Sequence, residues 1–133
     1  MSFVLDTNIC SAYLRADRRV EAKFLQYTGG LYISAMTLGE LYAGACRSGQ
    51  PAKRLDGIAE MLHEINAVIP IDQALAERYG RVRAELTDRG LVVANADLLI
   101  ASTALHLNYT MVSHNVRHFQ VIPGLRLEDR LVP

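Results

Sequence analysis

Short, continuously apolar runs alternate along this chain with longer stretches in which apolar residues recur every three or four positions. Phe3-Val4-Leu5 is the first such run and reads as a strand buried on both faces of a parallel sheet. Leu31-Tyr32-Ile33-Ser34, Ala67 to Ile71 and Thr110-Met111-Val112-Ser113 read as further strands, and Leu125-Arg126-Leu127 offers one more. Pro70 puts the third run at a sheet edge or ends it there, because proline brings no N–H to a ladder.

The stretches between carry the helical period and its punctuation. Asp6-Thr7-Asn8 supplies side-chain caps for a helix to about Arg15, and a second helix from Arg18 to Tyr27 stops at Gly29-Gly30. Thr37 precedes a helix through Leu41, Tyr42 and Ala45 that gives out near Ser48-Gly49. Pro51 opens the next, with Leu55, Ile58, Leu62 and Ile65 along one face. Asp72 caps a long helix whose stripe is Leu75, Tyr79, Val82 and Leu86, ending at Gly90. Asn95 starts, and can itself cap, a helix through Leu98-Leu99-Ile100 to about Leu107. Strands alternating with helices of this length predict right-handed βαβ units. The expected fold is α/β, a single domain over residues 1–133 with a central, mainly parallel sheet of four or five strands flanked by helices. No internal repeat, low-complexity tract or linker divides it.

Composition narrows this picture little. A chain of 133 residues buries enough surface to need no disulfide staple. Cys10 and Cys46 lie in helix-like stretches at no metal spacing and read as small buried hydrophobes in a reducing cytosol. The opening MSFVLDTN has no basic region or long apolar core, so no signal peptide is expected. No apolar run approaches the roughly 20 residues of a membrane span. A cytoplasmic protein without membrane association is the expectation. The 14 basic and 14 acidic side chains cancel. Taken plainly, that argues against nucleic-acid binding. The cancellation loses its force if three of the acids belong to a site.

Those three are Asp6, Glu40 and Asp97, each where an apolar run gives way to a helix signal. In a parallel α/β sheet such junctions share the carboxyl edge of the strands, where ligands bind. Ser113-His114-Asn115 lies at the same edge. Each acid has an ordinary structural use: Asp6 as an N-cap, Glu40 closing a capping box with Thr37, Asp97 in a first helical turn. Together they ask for more. Asn95 can cap the helix of Asp97 without it, and Asp6 follows a strand so short that its side chain emerges at the rim. Asp72 is the control, a cap in no such pattern. Hard oxygen ligands without His or Cys partners suit Mg²⁺ or Mn²⁺ rather than zinc.

These same residues carry a resemblance to a known family. Val4-Leu5-Asp6-Thr7-Asn8-Ile9 resembles the start of PIN-domain nucleases. Ser34 to Leu41 with Gly44, Asp97-Leu98-Leu99-Ile100-Ala101, and Val112-Ser113-His114-Asn115 with Phe119 and Ile122-Pro123-Gly124-Leu125 resemble the motifs that follow. The likeness runs nearly end to end and is nearest to VapC-type toxins of bacterial toxin–antitoxin pairs. It implies a Mg²⁺- or Mn²⁺-dependent endoribonuclease acting on structured RNA such as tRNA or ribosomal RNA. It also implies a homodimer, or a larger toxin–antitoxin hetero-oligomer, with a small antitoxin in the active-site groove. By position, Asp6 and Asp97 are the main metal ligands, and Glu40 completes the acidic cluster, either as a direct metal ligand or by orienting the attacking water. Thr7 and Ser113 are expected to hydrogen-bond a ligand or its water. The family often carries acids where this chain has Asn115 and His118. Asn115 cannot act as a base, but its carbonyl can bind a metal-held water; the expected roles make it a fourth catalytic residue.

Other features read blandly. His114 and His118 stand four apart without an HExxH pattern or a third zinc ligand. His63 and His106 read as helix-surface residues. Arg15, Arg18, Arg19 and Lys23 form either a solvated face or a phosphate contact. Arg78, Arg81 and Arg83 alternate with Glu77 and Glu85 as surface pairs. Tyr13, Tyr42 and Tyr79 are read as core or dimer packing. A non-cleaving module that binds RNA or a partner is the alternative reading. A receiver-like phosphoacceptor domain lacks its adjacent acids after the first strand and its lysine after the last.

Overall fold

The computed structural model describes residues 1–129. In chain order its elements are β1 (Phe3–Leu5), α1 (Thr7–Leu14), α2 (Arg18–Gln26), β2 (Leu31–Ser34), α3 (Ala35–Cys46) and α4 (Pro51–Leu62). There follow β3 (Ala67–Ile69), α5 (Gln73–Asp88), α6 (Asn95–Leu107), β4 (Thr110–Val112), α7 (Val116–Phe119) and β5 (Leu127–Glu128). The five strands form one sheet in the order β3-β2-β1-β4-β5, every neighbour parallel. This is the predicted α/β architecture.

Alternation along each short strand splits the core into two layers. Phe3 and Leu5 of β1 face one way, with Ile33 of β2 and Val112 of β4, and α1 to α4 cover them with Ile9, Val20, Phe24, Leu41, Ile58 and Met61. Val4 and Met111 face the other way under Leu98, Ile100, Ala104 and Leu86 of α5 and α6. Right-handed crossovers require this arrangement, since the β1-to-β2 and β3-to-β4 connections travel in opposite directions along the sheet. The chain reverses direction between β1 and β4, so the crevice beyond their carboxyl ends is the topological switch point.

Several expectations change in detail. The third strand ends at Ile69, before Pro70, and lies at the sheet edge. The fourth ends at Val112, and the last pairs at Leu127–Glu128 rather than 125–127. The inward face of α4 is Ile58 and Met61, continued by Ile65, while Leu55 is exposed. Cys10 is buried as expected, but Cys46 at the end of α3 is exposed. Tyr42 is also exposed, so of the three tyrosines it is not a core residue of this chain. The short α7 has no counterpart among the elements predicted from sequence.

Two predicted caps are wrong, and both errors bear on the site. Helix α3 begins two residues before Thr37: Ser34 is its cap, accepting from the Met36 N–H at 3.0 Å. Thr37 lies inside the helix, fully buried, so no capping box holds Glu40. Asn95 is the first residue of α6, with Ala94 in the cap position. Its Oδ1 instead accepts from Tyr79 Oη at 3.0 Å and Arg83 at 2.9 Å, which ties α5 to α6. Arg81 pairs with Glu77 as predicted, while Glu85 pairs with Arg89.

Candidate active site

Strand β1 delivers its last side chain to the switch point. The Asp6 N–H bonds the Val112 carbonyl at 2.8 Å, so the residue is still on the ladder when its side chain leaves the sheet. Asp6 is both a cap and a site residue. Its Oδ1 accepts from the Thr7 N–H at 2.8 Å, and its Oδ2 from Ser113 Oγ at 2.7 Å, just past the end of β4. Only 4% of Asp6 is exposed.

Glu40 comes from the second turn of α3, which starts where β2 stops. Released from capping, its Oε1 accepts from Thr7 Oγ1 at 2.6 Å across the α1–α3 boundary. The Thr7 and Thr37 hydroxyls are 3.4 Å apart, so the fully buried threonine braces the half-buried one. Asp97 arrives by a third route. Helix α6 runs back against the parallel strands, so its first turn opens on their carboxyl edge. There Asp97 Oδ2 meets His118 Nε2 at 2.9 Å. The buried Phe119 beside it anchors α7, and its ring lies edge-on to the imidazole, 5.3 Å between centroids.

The three acids therefore share one rim, and their charges act on the buried one. Burial pushes the Asp6 carboxyl above the usual aspartate range; the charges of Asp97 and Glu40 push the same way. The bonds from Ser113 and the Thr7 N–H oppose that shift without cancelling it. A carboxylate held out of water beside two others is stabilised by a cation. Among the described residues, no three His, Cys, Asp or Glu side chains stand close enough to hold an ion as they are placed. Glu40 and Asp97 are engaged by Thr7 and His118 instead. A Mg²⁺-type ion needs only one or two protein carboxylates and takes water and phosphate for the rest. Asp6 and Asp97 fit that demand in donor chemistry.

Asn115 stands exposed at the start of α7, its N–H on Ser113 Oγ at 2.9 Å. Ser113 thus donates to Asp6 and accepts from the Asn115 backbone, placing both at one corner. The neighbouring histidines diverge: His114 Nδ1 lies 3.4 Å from Asp129, away from His118, and its N–H bonds Asn8 Oδ1 at 3.2 Å. They form no zinc pair. The buried Cys10 thiol is pushed up by its surroundings, chiefly burial and next the Asp6 charge, and is inert.

A groove of about 900 Å³ leads from Thr7 and Glu40 between α1, α3 and α4. Arg15, Lys53 and Arg54 line it, alongside Asp56 and Glu60. Reading by motif missed Lys53 and Arg54, which lie far from every motif. It grouped Arg15 with Arg19, but Arg19 folds back on Asp17, the cap of α2, at 2.8 Å. That bond holds the Asp17 carboxyl down at about 2.

A family model described as PIN domain matches residues 3–125. The chain is 36% identical over 130 residues to the tRNA(fMet)-specific endonuclease VapC of Shigella flexneri, covering 97% of this chain and 98% of that protein. It is 32% identical over 132 residues to ribonuclease VapC2 of Rickettsia felis, covering 97% and 98%. Among solved structures, DNA-bound VapBC from Salmonella typhimurium aligns with a TM-score of 0.93 at 32% identity, over 98% of each chain. VapBC2 from Rickettsia felis, bound to a DNA fragment from their promoter, aligns with a TM-score of 0.90 at 30% identity, over 97% of this chain and 98% of that one.

Proposed function

The chain belongs to the PIN-domain family, among its VapC-type nucleases, and from that premise we propose a Mg²⁺- or Mn²⁺-dependent endoribonuclease toxin that cuts structured RNA. The observation that supports this most is the buried Asp6 carboxylate, raised in pKa by burial and by Asp97 and Glu40. Asp6 and Asp97 would hold the ion. When bound, it would supply positive charge at the scissile phosphodiester and make a water more acidic. The chain's own residues do the rest. Thr7 holds one oxygen of Glu40, leaving the other to orient the attacking water and accept its proton. The Asn115 amide, which has no acidity to lend, positions that water. In-line attack forms one P–O bond and breaks the bond to the 3′-oxygen, leaving a 5′-phosphate and a 3′-hydroxyl.

The groove supplies the substrate's path. Arg15, Lys53 and Arg54 face phosphates leading to the rim, and transfer RNA is the class that the Shigella flexneri relative's name points to. The solved VapBC relatives support a small cognate antitoxin as partner. We take it to occupy the same groove on a homodimer of this chain, in the cytoplasm where the RNA is. Among the described residues no helix is long and apolar enough to cross a membrane.

The test is direct. Purified protein is incubated with total RNA in Mg²⁺, in Mn²⁺ and in EDTA, beside Asp6→Asn. Discrete fragments that need the metal and vanish in the variant are the expected result, a loss of more than about 100-fold. Wild-type cleavage in EDTA, or by the variant, would sink the proposal; RNA bound but never cut would favour a binding module.

A further inference from the structure

We propose that His118 is itself a ligand of the divalent ion, beside Asp97, and that its imidazole makes this site prefer Mn²⁺ to Mg²⁺. This rests on the metal-site reading above. The distance from Nε2 to Asp97 Oδ2 is 2.9 Å. Two ligands at adjacent corners of an octahedron, each about 2.1 Å from the ion, lie about 3 Å apart. The pair is therefore spaced to share an ion as well as a proton, once each group turns from facing the other to facing the ion.

The support for the imidazole is built into α7. Phe119 is fully buried in the α5–α6 layer and fixes the helix, while its ring edge limits the tilt of His118. The turn before it is tied to Asp6 through Ser113, whose hydroxyl serves both Asp6 and the Asn115 N–H. The His118 side chain remains 43% exposed, so an ion carrying water and phosphate has access. His114, turned toward Asp129, does not compete. Mg²⁺ prefers oxygen, whereas an imidazole nitrogen suits transition ions. A neutral ring also brings no negative charge, and charge is what a small, hard ion gains most from. Both effects favour Mn²⁺.

The experiment reads the metal, not the reaction. Mn²⁺ alone is titrated into metal-free wild-type protein and into Asp6→Asn, His118→Ala and His118→Glu, each checked for native circular dichroism. Calorimetry gives affinity, competition gives the Mg²⁺ value, and pulsed electron paramagnetic resonance reads the nuclei bonded to Mn²⁺. Wild type is expected to bind Mn²⁺ with one directly coupled nitrogen that changes on histidine ¹⁵N labelling. That coupling disappears in both His118 variants. His118→Glu still binds Mn²⁺, with its preference over Mg²⁺ reduced at least about tenfold. If wild type binds no Mn²⁺, or Asp6→Asn binds it equally well, the metal-site reading fails and takes this one with it. If Mn²⁺ binds through Asp6 without histidine coupling, or the coupling survives His118→Ala, only the role of His118 is overturned.

Discussion

At the scale of single residues, Asp6 is in conflict with its surroundings. Its carboxyl is pushed up by burial and by two neighbouring acids, so the folded state binds a proton more tightly than the unfolded chain. Such a group contributes stability that is fully present below the unfolded aspartate value, near 3.8, and is lost as pH rises through the raised folded value. Above that window, at neutral pH without divalent ions, the charged Asp6 destabilises the fold. Asp6→Asn removes the charge; its amide oxygen still accepts from the Thr7 N–H, and its NH₂ donates to Ser113 Oγ in place of accepting from it. Thermal melts in EDTA should show the variant melting above wild type at pH 7.5, with the gap closing below pH 3.8. Equal melting points at pH 7.5 would contradict this account. The rim positions of Asp6 and Asp97 were legible because strand ends and first helical turns announce themselves in sequence. The freedom of Glu40 was not. Ser34 and Thr37 are both good caps on paper and both are fully buried; the folded chain starts α3 at Ala35, so the Ser34 hydroxyl takes the Met36 N–H and Thr37 falls inside the helix.

At the scale of elements, Asp72 separates a cap from a site. Its Oδ1 accepts from the Leu75 N–H at 2.9 Å at the head of α5, as its place in the sequence predicts. Asp72→Ala should cost about 1 kcal/mol of stability and leave RNA cleavage within about twofold of wild type once folded. Denaturant melts and a cleavage assay on one preparation test both halves; abolished cleavage in a fully folded variant would make Asp72 part of the site. The long helices were legible from their stripes. Helix α7 was not, because four residues make one turn and show no period. It forms since Phe119 has a hydrophobic place waiting in the distant α5–α6 layer. That tertiary rescue also brings His118 to Asp97, a pairing between residues 21 apart that no local pattern announces.

At the scale of the whole molecule, charge is arranged rather than abundant. A chain with no net charge sets Arg15, Lys53 and Arg54 along one groove ending at the acidic rim, interleaved there with Asp56 and Glu60. If that groove carries RNA, Lys53→Ala with Arg54→Ala should weaken binding of a cleavage-dead Asp6→Asn protein. The slope of log affinity against log salt should flatten by about 0.7 for each phosphate no longer neutralised. Fluorescence anisotropy across a salt series measures both, and an unchanged slope would place the RNA elsewhere. Sequence order hid this groove, because Arg15 at the end of α1 and Lys53 in α4 have α2, β2 and α3 between them. The parallel sheet itself was legible from its apolar runs.

The bond between Asp6 and Ser113 spans 107 positions, and that span has a consequence in time. During synthesis Asp6 leaves the ribosome well before Ser113 and the strand that precedes it. At roughly 5–20 residues per second, the two are separated by about 5–20 s. Through that interval β1 lacks its β4 neighbour and Asp97 lacks α7, so the growing chain has no assembled active site. A site built this way is complete only once both ends of that span have been made.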